Sequence, residues 1–367
     1  MTFPDLPNVL IRVLRAVAVC AALLATGPLG AQTVRGVLVD DAARPVPSAI
    51  VVLVYPGGAT NAGAMTDAQG RFTLVAAVPG RYTVRAERTG YRTAEVVVDL
   101  GAGETVEVRL ATAVQVFVLP TVDVVGESRC TVRPGRGLAA YTLWDEARKA
   151  LRSAAFLQES ERLEYVVRTY RSEIVMRTGR SNRQYDEPRR VAGRPFVTLA
   201  PAQLAAQGYV RTEGDSVGFY GPDAQALLSD EFLDTHCLYM DPEAADAQTV
   251  GLAFEPVERR RRIVDIRGVL RIDRRTGGLR AVEYEYVAPL GSAWPSPGGG
   301  TVEFERLENG AWLVSRWRIR TTNVARGTDW RRSGRETQII TDYREAGGEV
   351  DEVELVPEPE PASSGAP

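Results

Sequence analysis

His236 is the only histidine among the 367 residues, which limits the chemistry available to the chain. A zinc carboxypeptidase needs two histidines and a glutamate around its metal, so this activity is excluded by the residue inventory. A metal site combining Cys130, His236 and Cys237 is disfavoured, because adjacent residues of an extended chain point to opposite sides. We therefore expect no metal ligands and no cofactor.

The segment Gly214-Asp-Ser216-Val-Gly218 matches the G-x-S-x-G pattern that surrounds the nucleophilic serine of some hydrolases. That arrangement works only between a buried strand and a helix of a parallel sheet. Polar residues 211–213 precede the segment and Phe219-Tyr220 follow it, an order typical of a hairpin turn. Only His236 could serve as the base. The sequence therefore predicts no catalytic residues and a protein that is not an enzyme.

Cys130 and Cys237 are the two cysteines outside the first 31 residues. In an oxidising compartment such a pair indicates one disulfide. The bond would close a loop of about a hundred residues and stabilise the fold by at most ~4–5 kcal/mol. Two free, buried thiols are the alternative, because sequence does not show whether the Cα atoms come within bonding range.

Four consecutive arginines, Arg259, Arg260, Arg261 and Arg262, form a run of positive charge. One interpretation is a solvated loop or strand start. The other is an anion site for lipid phosphate or acidic glycan, since guanidinium groups bind such anions with paired hydrogen bonds.

Residues 1–31 have the pattern of a secretory signal peptide. Arg12 and Arg15 precede an apolar run at 16–25, and small residues at 29–31 offer a cleavage site. The run is too short to span a bilayer stably, with an uncleaved anchor as the alternative. We expect an exported protein in the periplasm, at the outer membrane or outside the cell, with no transmembrane segment in the mature chain.

Residues 34–110 contain short β-branched and aromatic runs separated by turn residues, which is typical of a small β-sandwich. The apolar run at 50–55 suits a strand buried on both faces. Asp67 and Gly70 indicate a turn, because aspartate accepts backbone hydrogen bonds and glycine tolerates positive φ. Pro79-Gly80 fits a type II turn.

Five pieces of this region resemble the carboxypeptidase regulatory-like domain, a transthyretin-like sandwich: Gly36–Asp40, Pro45–Ile50, Thr66–Phe72, Pro79–Tyr82 and Thr89–Tyr91. The resemblance implies a seven-stranded Greek-key sandwich, which we place at residues 32–112. It also implies an accessory module of exported bacterial proteins, without catalytic residues of its own. Related sandwiches include starch-binding domains, so glycan binding is a further implication.

Residues 141–346 have the pattern of an α+β domain with a long-stranded antiparallel sheet and two or three helices. Thr142 opens a helix whose apolar positions recur at helical spacing as far as Leu157. Shorter helices are predicted at 201–207 and 223–234. The alternation of residues 162–176 predicts a long strand, and the polar segment 181–194 is interpreted as a mobile loop.

The chain from residue 251 onward is predicted to form a meander of long antiparallel strands. Asn309-Gly310 is a strong hairpin signal, which places Glu303 opposite Arg316 and Val302 opposite Trp317. A last strand is expected at 337–343. Long hairpins with helices on one face resemble the half-barrel of outer-membrane lipoprotein carriers.

Two segments are expected to lack a core of their own. Residues 113–140 are interpreted as a connector strand or linker. Residues 347–367 are acidic and rich in proline, so we expect them to be disordered. A net charge of −3 gives no reason to expect a nucleic-acid partner.

These patterns favour an exported, non-enzymatic cell-envelope protein that binds or scaffolds through its regulatory-like domain. One alternative is a carbohydrate-binding protein that uses exposed aromatics on the sandwich or among Tyr284, Tyr286 and Trp294. The other is a periplasmic lipid or lipoprotein carrier whose sheet curves around an apolar cavity. The partner would be an envelope glycan, a lipid or another envelope protein.

Overall fold

A computed structural model describes most of the chain between residues 32 and 355. The described residues are 32–57, 60–115, 138–159, 163–175, 178–213, 216–241, 243–257, 260, 262–289, 298–308, 310–329 and 335–355. The chain divides into two compact units. The first contains residues up to 46, 51–86 and 94–111, and the second contains 47–50, 87–93 and the residues from 112 onward.

Seven strands form the N-terminal sandwich, as predicted. They are β1 (Gln32–Val39), β2 (Ile50–Val54), β3 (Thr60–Met65), β4 (Arg71–Ala76), β5 (Gly80–Glu87), β6 (Ala94–Leu100) and β7 (Thr105–Ala111). One sheet has the order β4-β1-β7 and the other β3-β2-β5-β6. Strand β1 runs parallel to β7 and antiparallel to β4.

The core of the sandwich comes from alternating strand positions, because successive side chains of a strand point to opposite faces. Strand β4 alternates strictly, with Phe72, Leu74 and Ala76 buried and the residues between them exposed. Strand β2 is buried on both faces, apart from half-buried Val52, which confirms the interpretation of its apolar run.

The predicted turns of the sandwich have different outcomes. Asp67 Oδ1 accepts hydrogen bonds from the amides of Gln69 and Arg71, and Gly70 has φ +71°, which confirms the first turn. The type II turn at Pro79-Gly80 is wrong. Gly80 lies outside the left-handed region and is the first residue of β5, so the chain enters the strand without the reversal that a glycine with positive φ would give.

Four helices lie in the described part of the second unit: α1 (Leu138–Glu159), α2 (Pro201–Gln207), α3 (Ala224–Leu228) and α4 (Asp230–Thr235). Helix α1 begins four residues before Thr142, where we placed its start. The helix predicted at 223–234 is split, because Ser229 adopts extended backbone and caps α4 with its side chain. Gly208 ends α2 with φ +81°, as expected.

The second unit contains twelve strands in its described residues: β8 (Leu163–Val175), β9 (Ser181–Tyr185), β10 (Arg189–Ala192), β11 (Val210–Glu213), β12 (Ser216–Phe219), β13 (His236–Asp241), β14 (Thr249–Pro256), β15 (Asp265–Asp273), β16 (Leu279–Val287), β17 (Gly299–Arg306), β18 (Trp312–Asp329) and β19 (Arg335–Leu355). Ten of them form one sheet in the order β10-β8-β19-β18-β17-β16-β15-β14-β13, with β9 also pairing with β8. Strands β11 and β12 form a separate hairpin.

Helix α1 packs on one face of this large sheet, where it contacts β13 to β16 and β18. Its apolar stripe, Leu143, Ala147, Ala150, Leu151 and Ala154, is almost completely buried. The Oγ of Ser153 accepts a hydrogen bond of 3.2 Å from the amide of Trp312. We call the face that carries Trp317 and Ile319 the inner face, and the opposite face the outer face.

The hairpin between β17 and β18 has the predicted pairs Val302–Trp317 and Glu303–Arg316. The turn itself is one residue longer than expected, because the amide of Leu307 donates to the carbonyl of Ala311 and the pairs near the turn are shifted by one residue. An irregularity between Glu303 and Phe304 restores the predicted register. One extra residue on β18 therefore compensates for the longer turn.

Two polar segments that we expected to be irregular are strands. Residues 181–185 and 189–192 form β9 and β10 along the edge of β8, although we predicted a mobile loop there. Strand β19 continues to Leu355, which overturns disorder for residues 347–355. Acidic residues of this segment pair with arginines instead: Asp351 lies 2.8 Å from Arg168 and Glu354 lies 3.0 Å from Arg190.

Candidate functional site

An open pocket lies on the inner face of the large sheet, where β8, β9, β18 and β19 approach the β11–β12 hairpin. Its volume is about 630 Å³. We call it the rim pocket. Apolar side chains come from Phe219, Ile319 and Ala346. The polar and charged lining residues are Arg171, Ser172, Glu173, Asn182, Gln184, Thr321, Arg344 and Glu345.

Strand register explains why these residues meet, because residues directly opposite one another on neighbouring strands share a face. Ile319 pairs with Ala346, Ala346 with Arg171, and Arg171 with Gln184. The next row on the same face contains Thr321, Arg344, Glu173 and Asn182. The two rows form a largely polar floor with an apolar patch at Ile319 and Ala346.

The electrostatics of the rim pocket are mixed. Arg344 lies 3.6 Å from Glu173, and both side chains are about two-thirds exposed. Such an exposed ion pair contributes little to stability, so its groups can exchange partners at low cost. No serine or cysteine nucleophile lies beside a histidine among the described lining residues. The pocket can therefore hold a molecule with an apolar part and a polar part.

Ser216 lies in the hairpin that we predicted for the G-x-S-x-G segment. It is the first residue of β12, which pairs antiparallel with β11. The nucleophile-elbow geometry needs a helix directly after the serine, and a strand follows it instead.

His236 belongs to a buried charged group that we call the closed cluster: His236, Arg260 and Asp265. His236 Nε2 lies 3.2 Å from Asp265 Oδ1, and both side chains are 1% exposed. Arg260 Nε donates to the other carboxylate oxygen. The histidine ring stacks on Phe232 with 4.1 Å between ring centres. The lone histidine therefore packs in the core.

Arg260 corrects the interpretation of the four-arginine run as one surface anion site. Its side chain is 7% exposed, and it donates to the carbonyl oxygens of Leu204 and Ala205 as well as to Asp265. Arg260 is buried because α2 supplies these carbonyl acceptors. Arg262 is exposed, while Arg259 and Arg261 lie outside the described residues.

The other predicted site residues are only partly described. Cys237 is buried in β13, and Cys130 lies outside the described residues, so the disulfide stays a prediction. Tyr284 and Tyr286 are 6% and 0% exposed, which overturns their proposed role as exposed glycan-binding aromatics. Burial raises the pKa of both hydroxyls well above the usual range. Trp294 also lies outside the described residues.

The described part of the chain contains no group of three or more histidine, cysteine, aspartate or glutamate side chains that could hold a metal ion. None of its helices combines the length and the apolar composition needed to cross a membrane.

Sequence reasoning missed most of the rim pocket. The predicted alternation of β18 placed Ile319 on the apolar face, and this was the available signal. Gln184 lies in a segment that we predicted as a loop, and Ala346 lies beyond the predicted end of the last strand at residue 343. Arg171 lies in a strand for which the sequence indicated no pairing partner. Only their pairing brings them beside Ile319.

Residues 33–113 match the family model of the carboxypeptidase regulatory-like domain. The N-terminal sandwich is a domain of this family. The match covers less than a quarter of the chain and includes no residue of the rim pocket. A search of curated proteins found no match to the chain.

Several solved structures are similar to parts of this chain. The minor pilin of Streptococcus agalactiae is 18% identical over 27% of this chain and 49% of the pilin, with a TM-score of 0.22. The 5-hydroxyisourate hydrolase of Klebsiella pneumoniae is 21% identical over 23% of this chain and 91% of the hydrolase, with a TM-score of 0.20. The chain thus spans less than half of that pilin, and at such scores nothing about function follows.

Proposed function

We propose that this is an exported, non-enzymatic cell-envelope protein whose large-sheet unit binds an amphiphilic molecule, such as a lipid, in the rim pocket. The observation that carries the proposal is the apolar patch of Ile319, Ala346 and Phe219 beside charged and amide side chains. An acyl chain would lie on the apolar side and a headgroup on the polar side.

Other features support this assignment. Helix α1 covers part of the inner face, and the rim pocket is open. A volume of about 630 Å³ is in the range of small-molecule sites. The N-terminal leader pattern and the regulatory-like domain favour export. The burial of Tyr284 and Tyr286 removes two of the aromatic side chains on which glycan binding would depend.

The test is binding of a fluorescent fatty acid to the purified protein, measured by titration, for the wild type and for Ile319→Asn. An amide in the apolar floor removes apolar contact and leaves polar atoms without partners, so we expect about tenfold weaker binding. Val97→Asn is the matched control, because Val97 is an exposed strand valine of the sandwich. We expect it to bind as the wild type does.

Equal binding by both variants would place the ligand elsewhere, and no binding by the wild type would refute the proposal. Native mass spectrometry of protein isolated from its own host gives an independent measurement. A lipid adduct on the wild type that is lost from Ile319→Asn would support the rim pocket. An adduct retained by that variant would argue against it.

A further inference from the structure

Three arginines surround one buried carboxylate on the outer face of the large sheet. We call Arg183, Arg318, Arg320 and Glu345 the open cluster. Strand pairing places Arg320 opposite Glu345, which lies opposite Ser172, which lies opposite Arg183. The adjacent row, with Ile319, Ala346 and Arg171, has its side chains on the other face, so the arginines of the open cluster lie opposite the floor of the rim pocket. Glu345 and Ser172 also border that pocket.

Glu345 is 1% exposed, and both of its oxygens are occupied. Oε1 accepts from Arg183 Nη2 and from the hydroxyl of Tyr170, each at 3.1 Å. Oε2 accepts from Arg320 Nε at 3.2 Å and Nη2 at 2.9 Å, and Arg318 Nε lies 3.9 Å away. Three guanidinium groups therefore lie within 3.9 Å of this one carboxylate.

The arginines keep most of their donors, because each guanidinium has five N–H groups. Their side chains are 43%, 44% and 41% exposed, for Arg183, Arg318 and Arg320 respectively. Within the described residues none of the three pairs with a second carboxylate. The cluster therefore carries a local charge of about +2 with donors directed to solvent.

Tyrosine rings hold two of these guanidinium groups in place. Arg183 lies over the ring of Tyr170 at 4.3 Å, and Arg320 lies over the ring of Tyr343 at 5.6 Å. Burial, together with the charge of Glu345, raises the pKa of Tyr170 to about 12, so its hydroxyl stays protonated and donates. The arginines are therefore arranged before any ligand arrives, which lowers the entropic cost of binding.

We propose that the open cluster is a binding site for a phosphate group. A phosphate monoester carries a charge of about −1.5 to −2 at neutral pH, which matches the net positive charge of the open cluster. Its three terminal oxygens accept forked hydrogen bonds from several guanidinium groups at once. The group could belong to a free phosphate compound or to a lipid headgroup, since both present the same oxygens.

The experiment measures binding of two probes to the full chain at low ionic strength. Inorganic phosphate is titrated by calorimetry, and vesicles of phosphatidylcholine doped with phosphatidic acid are compared with pure phosphatidylcholine by sedimentation. We expect Arg183→Gln and Arg320→Gln each to weaken binding about tenfold or more. Arg183→Lys keeps the positive charge but loses the paired N–H donors of the guanidinium, so we expect an intermediate loss of binding.

Arg316→Gln is the matched control. Arg316 lies on the same face and loses the same charge, but it already pairs with Glu303 at 3.0 Å and lies 3.9 Å from Glu349. We expect it to bind both probes nearly as the wild type does. Ile319→Asn should also retain phosphate binding, which separates this proposal from the one for the rim pocket. Thermal melting of each variant checks that it is folded.

The outcomes are distinct. Preference for the doped vesicles over inorganic phosphate, lost in Arg183→Gln, identifies a lipid headgroup as the ligand. Equal or better binding of inorganic phosphate, with the same loss, identifies a free phosphate compound. The same loss in Arg316→Gln as in Arg183→Gln would show a non-specific effect of net charge and overturn the proposal. So would wild-type protein that binds neither probe.

Discussion

The closed cluster and the open cluster are both built around one buried carboxylate, yet they differ in what surrounds it. Asp265 meets one arginine and one histidine, and Arg260 is itself buried. Glu345 meets three arginines, and all of them remain more than two-fifths exposed. The first arrangement uses its donors internally, whereas the second leaves donors directed to solvent.

Covering elements account for this difference. Arg260 finds acceptors on Leu204 and Ala205 of α2, and Phe232 of α4 stacks on His236. The outer face at Glu345 has no described helix packed on it, so water solvates the arginines there. A buried carboxylate alone therefore does not distinguish a structural ion pair from a binding site. The exposure of its partners does.

The largest expected effect is that of Asp265→Ala. Removal of this carboxylate leaves the Arg260 guanidinium buried without a counter-charge, a change that typically costs about 3–5 kcal/mol. We expect a loss of this size in the free energy of unfolding, measured by urea denaturation. Glu283→Ala is the control, because Glu283 forms an exposed pair with Arg271 and should change stability by less than about 1 kcal/mol. Similar losses in the two variants would show that the closed cluster is solvated.

The stability of the closed cluster should depend on pH through Asp265. Burial alone would raise the pKa of Asp265, but His236 and Arg260 outweigh it and lower that pKa below its usual value. A carboxyl with a depressed folded-state pKa stabilises the fold above its unfolded pKa, and this contribution is lost as pH falls through the folded value. The free energy of unfolding should therefore fall on acidification below about pH 4.

The variant Asp265→Asn measures how much of this pH dependence of stability is due to Asp265. Because the asparagine side chain does not titrate, we expect a shallower dependence of stability on pH below about pH 4 than in the wild type. The measurement is urea denaturation at a series of acidic pH values. An unchanged slope would mean that Asp265 has the same pKa in the folded and unfolded chains.

Sequence patterns predicted local structure well and long-range clusters poorly. Strand alternation and a turn signal were sufficient to pair Val302 with Trp317, even though the turn and the irregularity beside Glu303 were not foreseen. The turn is one residue longer than predicted and β18 contains one extra residue, so the two deviations cancel. In contrast, β9 and the end of β19 are rich in polar residues, and they are strands because β8 pairs with them. Such pairing partners are far away in sequence.

Both clusters illustrate the same limit. Arg260 was visible only as one of four arginines, and the acceptors that bury it lie 55 and 56 residues earlier in the chain. Glu345 and Arg183 are separated by 162 residues. No local spacing brings them together, because their contact depends on the pairing of β19 with β8 and of β8 with β9.

A smaller effect on stability than that of Asp265→Ala is expected for Glu345→Gln, which removes the counter-charge of the open cluster and keeps its shape. The three guanidinium groups then repel one another, but water and ions reach them, so we expect a loss of about 1–2 kcal/mol in the free energy of unfolding. Added salt should reduce this loss because it screens exposed charges, whereas the loss in Asp265→Ala should hardly change, since buried groups are screened much less. Urea denaturation of both variants at low and high sodium chloride measures the difference. If the two losses respond equally to salt, the arginines around Glu345 are as enclosed as Arg260, and the distinction between an open and a closed cluster fails.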